Sequence, residues 1–364
     1  MRYFIIAGED SGDLHGSKLV EKLFVQDPEA EIYGMGGVLM ESVGMKLWRN
    51  YHDLAVMGIS EVLKKLWTFR KLIKECAVEI KNYNPDRIVF IDYGGFNLRV
   101  AKLTKEMGFY NSYYILPKVW AWNEKRVIKI AKYIDEAFVI FPFEESYFKA
   151  RGVKAKYVGH PVKERIDEFL ANNSDLKVQA NTIALLPGSR KQEIDRVLPV
   201  LLEYAKKMGS QYSFKLALNK SAEHFVQHID LPKNVEIVWG ATYRVITESA
   251  MAIATSGTVT LETALIGTPQ IVCYKASRLN YFLGKMFIKV KYLSPVNLIL
   301  KDEVVPELIQ NDLTPEALFE QTQSIMNNKG DIQKSAYENL NVTLRNAKAS
   351  VTVAVLLSKP KIHT

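Results

Sequence analysis

Short apolar runs alternate with helical patterns along the whole chain, the signature of a parallel α/β sheet rather than of an all-helical or all-β protein. In the first half, Arg2–Ala7, Glu31–Gly34, Ile88–Asp92, Ser112–Ile115, Ala137–Phe141 and Lys156–Val158 read as strands. Leu98–Lys105 and Glu124–Lys132 carry helical spacing between them. The pattern restarts at Thr182, with strands expected at Thr182–Leu186, Phe214–Leu216, Val235–Val238, Met251–Ala254 and Gln270–Tyr274. Between the two series lies the polar stretch Glu168–Asn181, the natural linker. The expectation is an α/β chain of two Rossmann-like domains facing a cleft, residues 1–166 and 167–344. A C-terminal helix at about 345–364 is expected to pack back onto the first domain.

Ligands of such sheets bind at the carboxyl ends of the strands. Two of those ends in the second half carry anion-binding residues, TIALLPGSR from Thr182 and MAIATSGTVTLE from Met251. Gly188 and Gly257 allow close backbone approach, and Ser189, Ser256 and Thr258 offer hydroxyls. The helix that follows each presents unpaired N–H groups. Arg190 adds a planar guanidinium suited to phosphate. Glu262 lies one helical turn past Thr258, where a carboxylate accepts hydrogen bonds from neighbouring ribose hydroxyls. Two diphosphate cradles and a ribose acceptor point to a nucleotide-sugar site. No GxxxxGK[ST] loop occurs. In the first half, the matching ends read Gly8-Glu9-Asp10-Ser11-Gly12-Asp13, Gly34-Met35-Gly36-Gly37 and Asp92-Tyr93-Gly94-Gly95. An ordinary strand-to-helix turn is the plain alternative for each cluster.

The 364 residues suffice for two full-sized cores, and 48 basic against 40 acidic residues give a net charge of +8. That excess suits an anionic substrate or an anionic membrane surface. Nucleic acid is disfavoured, because no binding motif accompanies the charge. Cys76 and Cys273 alone form neither a metal pattern nor a disulfide framework, as in a reducing compartment. The opening MRYFIIAGEDSGD is a first strand, since acidic residues follow its apolar run at once. Two basic, aromatic-rich segments, Val62–Lys74 and Arg278–Lys291, suit a membrane surface, with Trp67 and Phe69 as inserting side chains. Helices with one face in a core are the plain alternative.

The chain resembles the lipid-A-disaccharide synthase family, glycosyltransferases of the two-Rossmann (GT-B) type. The resemblance rests on AGEDSGDLHG at Ala7, YGMGG at Tyr33, LAVMGISEVL at Leu54, FNLRVAK at Phe96, PKVWAWNEKRVIKI at Pro117, FPFEESYF at Phe141, YVGHPV at Tyr157, LLPGSRKQEI at Leu185, SGTVTLETAL at Ser256, and SPVNLI with VPELIQ from Ser294. In this order they run nearly end to end, and AGEDSGD and VWAW separate the chain from related UDP-sugar folds. Those folds include the peptidoglycan lipid transferase and the UDP-N-acetylglucosamine epimerases. A non-enzymatic nucleotide- or lipid-binding module is the remaining alternative, and the presence of Asp92 argues against it.

The resemblance implies transfer of 2,3-diacylglucosamine from its UDP donor to 2,3-diacylglucosamine 1-phosphate. The product is the β-1,6 disaccharide precursor of lipid A, formed with inversion and without a metal or other cofactor. It implies a cytoplasmic enzyme held peripherally at the inner face of the inner membrane, and a homodimer is compatible with it. Asp92 is the expected base. Glu9, Ser11, Asp13, Glu61 and Asn97 are expected to bind the acceptor, with Glu61 or Asp13 as alternative bases. Gly188, Ser189, Arg190, Ser256, Gly257, Thr258 and Glu262 are expected to hold UDP. Asn297, Glu307 and Gln310 match the family's C-terminal motif and are placed with them. His15, His160, Trp120, Trp122 and Trp239 are expected to line the site or pack near it. One departure stands out: where family members often read Asp-x-Pro-Asp-Phe-Asn, this chain has Gly95 in place of the second Asp. Whatever the second carboxylate does elsewhere is absent or supplied differently here, so the resemblance supports Asp92 and not a paired-carboxylate mechanism.

Overall fold

The computed structural model describes residues 1–52, 62–277, 281–282, 290–345 and 348–359, without the side chains of 62–67 and 122. Two compact units divide the chain, one of Met1–Pro161 with Ala347–Thr364, the other of Val162–Asn346.

The first unit runs β1 (Arg2–Ala7), α1 (Asp10–Gln26), β2 (Glu31–Gly36), α2 (Val38–Ser42), β3 (Lys46–Asn50), α3 (Val62–Tyr83), β4 (Arg87–Ile91), α4 (Gly94–Glu106), β5 (Asn111–Tyr114), α5 (Val119–Trp122), α6 (Arg126–Tyr133), β6 (Glu136–Val139), α7 (Pro142–Lys149) and β7 (Ala155–Tyr157). Its seven strands are parallel, in the order β3-β2-β1-β4-β5-β6-β7. Strands β1 and β4 lie at the centre, in register Tyr3 with Arg87 through Ala7 with Ile91. Both faces of these strands are covered, which is why they read as unbroken apolar runs and not as alternating ones. Phe4, Ile6, Phe90, Tyr113 and Phe96 are fully buried in the same core. Each such side chain contributes about 1.5–3 kcal/mol on burial.

The second unit runs α8 (Pro161–Asn172), β8 (Gln179–Leu186), α9 (Lys191–Met208), β9 (Ser213–Leu218), β10 (Val235–Trp239), α10 (Thr242–Glu248), β11 (Ser249–Thr255), α11 (Thr258–Ile266), β12 (Gln270–Tyr274), α12 (Pro295–Leu300), β13 (Glu307–Ile309), α13 (Pro315–Ser324) and α14 (Gly330–Leu344). Its parallel sheet has the order β10-β9-β8-β11-β12-β13, with β8 and β11 central. A last helix, α15 (Ala349–Leu357), belongs to the first unit and packs on α1. Beyond it, the Lys359 carbonyl accepts from Arg87 Nη2 at 2.7 Å.

Three differences from the sequence reading have physical causes. The polar stretch Glu168–Asn181 is not one linker, because α8 runs through its first residues and β8 begins within it; the units divide at Pro161 and Val162 instead. Edge strands β3 and β13 went unseen. None of the five residues of KLWRN is buried, and ELI is three residues long, so neither leaves an apolar run. Phe69 does not project as a membrane anchor: it is half-buried edge-on to core residue Phe96, ring centroids 5.7 Å apart, with the Arg99 guanidinium over its other side. The Trp67 side chain and most of Arg278–Lys291 lie outside the described residues.

Candidate functional site

In a doubly wound sheet, the two central strands send their helices to opposite faces, so a crevice opens beyond their carboxyl ends. In the first unit those strands are β1 and β4, and the residues that follow them are Glu9 and Asp92. The chain turns at Asp92 and Tyr93 with φ of 44° and 48°, two consecutive non-glycine residues in the left-handed region. Such conformations cost of order 1–3 kcal/mol each and persist where the surroundings enforce them. Three hydrogen bonds and a ring contact enforce this one. The Asp92 N–H donates to the Tyr114 carbonyl at 3.1 Å. Its own carbonyl accepts from Asn97 Nδ2 at 2.8 Å and from the Tyr113 hydroxyl. The Tyr93 ring lies over Gly8, where a Cβ would come within 2.2 Å of it. Glycine at position 8 is therefore what lets the two turns meet.

The Glu9 carboxylate lies near enough to the Asp92 carboxyl for its charge to act on it. Burial, then the Glu9 charge, raises the Asp92 pKa to about 6; Lys118 and the Tyr93 N–H oppose the shift. Ser11 Oγ donates to Glu9 Oε1 at 3.1 Å and so orients that carboxylate. The pair is thus built from β1 and β4, and not from position 95. Gly95, the second residue of α4, has no atom within 4 Å of where a Cβ would stand.

Two residues expected to bind the acceptor do other work. Asp13 is buried, and its carboxylate accepts from the Gly37, Leu39 and Met40 N–H groups at 2.8, 3.1 and 3.1 Å. It caps the amino terminus of α2. Asn97 is wholly buried and donates to the Ile91 and Asp92 carbonyls, so it positions the Asp92 turn from behind. Glu61 lies outside the described residues.

In the second unit the central ends are those of β8 and β11. Gly188 has φ +104°, and a Cβ there would lie 2.4 Å from Glu193 Oε2. That same oxygen accepts from the Ser189 and Arg190 N–H groups at 3.2 and 3.3 Å. A carboxylate oxygen thus already sits on the N–H groups expected to meet a phosphate. The Arg190 side chain is 82% exposed, its Nη1 3.6 Å from Glu193 Oε1. Gly257 and Thr258 are exposed at the start of α11, and Ser256 Oγ donates to the Leu293 carbonyl at 3.2 Å. Glu262 is buried one turn further on. Its Oε1 accepts from Arg165 Nη2 at 2.6 Å and from the Tyr243 hydroxyl at 2.7 Å. Burial and the Glu262 charge push the Tyr243 phenol up.

The side chains of the C-terminal motif hold one another and the nearby backbone. Asn297 Nδ2 donates to the Val305 carbonyl and to Glu307 Oε1, and its Oδ1 accepts from the Val304 and Val305 N–H groups. Glu307 also accepts from the Leu293 and Ser294 N–H groups, both at 2.9 Å. Gln310 bonds both ways to the Ala276 backbone. These amide and carboxylate groups brace the loops around β12 and β13.

The sequence reading missed Glu144, Lys118 and Arg165. The first two lie inside FPFEES and PKVWAW, but nothing in the one-dimensional pattern says that Glu144 receives the Trp120 indole N–H at 2.9 Å. Among the described residues no group of three or more His, Cys, Asp or Glu side chains is arranged to hold a metal, and no helix is long and apolar enough to cross a membrane.

Two doubly wound parallel sheets, each with polar residues after its central strands, define the two-Rossmann (GT-B) class of sugar-nucleotide enzymes. The chain superposes on the UDP-GlcNAc 2-epimerase of Methanocaldococcus jannaschii in complex with UDP-GlcNAc and UDP with a TM-score of 0.65, at 12% identity over 98% of this chain and 99% of that one. The kitacinnamycin glycotransferase gives 0.66, at 12% identity over 99% of both. At that identity the likeness shows the fold alone. Within the class, the chain belongs to the lipid-A-disaccharide synthase family. The Lipid-A-disaccharide synthetase family model matches residues 3–356. The lipid-A-disaccharide synthase of Syntrophus aciditrophicus is 36% identical over 348 residues, 92% of this chain and 91% of its own. That of Geobacter metallireducens is 37% identical over 328 residues, 87% and 85% of the two chains.

Proposed function

We propose that the protein transfers 2,3-diacylglucosamine from UDP to the 6-hydroxyl of 2,3-diacylglucosamine 1-phosphate, with Asp92 as the base. The observation that carries the assignment of Asp92 is its pairing with Glu9 at the central strand ends. A carboxylate raised to about 6 is largely ionised at neutral pH, yet basic enough to take a proton. As the acceptor oxygen bonds to the donor's anomeric carbon from the face opposite UDP, its proton passes to Asp92. The bond from that carbon to the phosphate oxygen breaks, and its electron pair leaves with UDP. Single displacement inverts the anomeric centre.

The departing diphosphate is assigned to Ser189 and Arg190 and to the N–H groups of Gly257 and Thr258, where donors stabilise developing negative charge. Glu193 then has to release the Ser189 and Arg190 N–H groups. The ribose is assigned to Glu262 Oε2, since Oε1 is held by Arg165 and Tyr243. Incubation with UDP-diacylglucosamine and diacylglucosamine 1-phosphate in detergent tests the reaction. A disaccharide 1-phosphate by mass spectrometry, equimolar with UDP, is expected; UDP release without it refutes the transfer.

Both substrates carry acyl chains, so the enzyme has to work at a bilayer surface. Arg70, Lys71 and Lys74 are exposed on α3, and Phe282 is 63% exposed in the second unit. Each basic residue near an anionic surface contributes about 1 kcal/mol, screened by salt. Binding to phosphatidylglycerol vesicles is expected to weaken at high salt, and to weaken further in Arg70→Glu/Lys74→Glu with an unchanged melting curve. Salt-independent sedimentation of that variant with vesicles contradicts docking through α3.

A further inference from the structure

The cation that opposes the raised pKa of Asp92 has no counter-ion of its own among the described residues. Lys118 follows Pro117, and Pro117 packs on Gly94: a Cβ on Gly94 would come within 2.8 Å of the Pro117 Cβ. This contact sets residue 118 beside the Asp92–Tyr93 turn. Lys118 is exposed, with its ammonium 5.3 Å from the centroid of the Phe141 ring. No ion pair or hydrogen bond of its side chain occurs among the described residues. Other lysines of this unit near carboxylates do pair, as Lys149 does with Glu145 at 2.6 Å.

The wall beneath Lys118 is fixed. Phe141 stacks on Phe143 with centroids 5.7 Å apart, and Trp120 meets Phe143 edge-on at 5.0 Å. Glu144, fully buried, accepts the Trp120 indole N–H at 2.9 Å and the Ile140 and Phe141 N–H groups at 3.2 and 3.0 Å. Burial raises the Glu144 pKa, while these donors and Lys118 oppose the shift. An exposed ammonium on a rigid aromatic wall, next to but not bonded to the base, is suited to an anion that arrives with the acceptor.

We propose that Lys118 binds the 1-phosphate of the acceptor sugar, an inference that rests on the transfer reaction above. In the acceptor, C1 bears the phosphate, and C5, across the ring oxygen from it, bears the reacting hydroxymethyl group. When that hydroxyl meets Asp92, the phosphate has to fall beside the carboxylates and not on them. Asp92 and Glu9 repel it there, and Lys118 offsets the repulsion with a charge-assisted hydrogen bond. The aromatic wall gives the sugar's apolar face a surface to rest on.

The test compares full-length wild type, Lys118→Met and Lys118→Arg on two acceptors, diacylglucosamine 1-phosphate and the same sugar without its phosphate, at saturating donor. Lys118→Met is expected to raise KM for the phosphorylated acceptor by about tenfold or more. The unphosphorylated acceptor should be nearly unaffected, and Lys118→Arg should keep the preference. If Lys118 serves only to hold the charge of Asp92, Lys118→Met instead depresses both acceptors equally and moves the acid limb of kcat/KM to higher pH. That result, or an undiminished preference for phosphate, overturns the proposal. Failure of the wild type to join either acceptor to the donor sugar refutes the transfer reaction itself, so the two failures are distinct.

Discussion

Asp92→Asn is expected to lower kcat by roughly 100-fold or more while leaving UDP affinity intact. The amide keeps the side chain's shape but cannot take the acceptor's proton. The same substitution should make the folded protein more stable at neutral pH. The Asp92 carboxyl has a folded pKa raised from 3.8 to about 6, so between those values the native state holds more protons than the unfolded chain. Stability therefore falls as pH rises through that window, and above it the ionised carboxylate is a standing cost. Asn removes that cost. Its melting temperature should exceed the wild type's by a few degrees at pH 7.5 and match it near pH 4. A loss of turnover accompanied by a lower melting temperature at pH 7.5 points to damaged packing instead. Near-wild-type turnover moves the base elsewhere.

Asp13→Ala should act in the opposite sense. Three N–H groups at the start of α2 converge on this one buried carboxylate. With a methyl in its place they lose their acceptor away from water, a loss on the order of 3 kcal/mol. The expected result is a marked drop in the denaturant midpoint. Whatever fraction folds should retain the wild-type KM for the acceptor. If Asp13 instead met the acceptor sugar directly, the variant would melt normally and show a raised acceptor KM.

These two aspartates show where the sequence sufficed and where it did not. Both follow apolar strands and stand near glycines, so both read as site residues. Only the three-dimensional partners separate them: one faces a second carboxylate, the other the end of a helix. The central strands were legible because burial on both faces leaves unbroken apolar runs such as Tyr3–Ala7. The edge strand KLWRN has no buried residue and left no such trace. Asn297, Glu307 and Gln310 carry family-motif identity, which cannot tell a ligand contact from a loop brace. The pairing of Glu9 with Asp92 joins residues from two strands adjacent in the sheet but distant in the chain, and no spacing rule reaches that far. The loss of the family's second Asp at Gly95 was visible in the sequence. That a carboxylate from β1 stands against Asp92 was not.

That pairing is the central claim, and the pH dependence of kcat/KM for the acceptor, measured for wild type and Glu9→Gln, tests it most directly. The wild type is predicted to lose activity below an acid limb near pH 6, where Asp92 takes up a proton. Removing the neighbouring negative charge lowers the Asp92 pKa, so in Glu9→Gln the limb should shift to lower pH. A limb that stays near pH 6 in Glu9→Gln, or a wild-type profile flat down to pH 5, contradicts the carboxylate pair as the base of this enzyme.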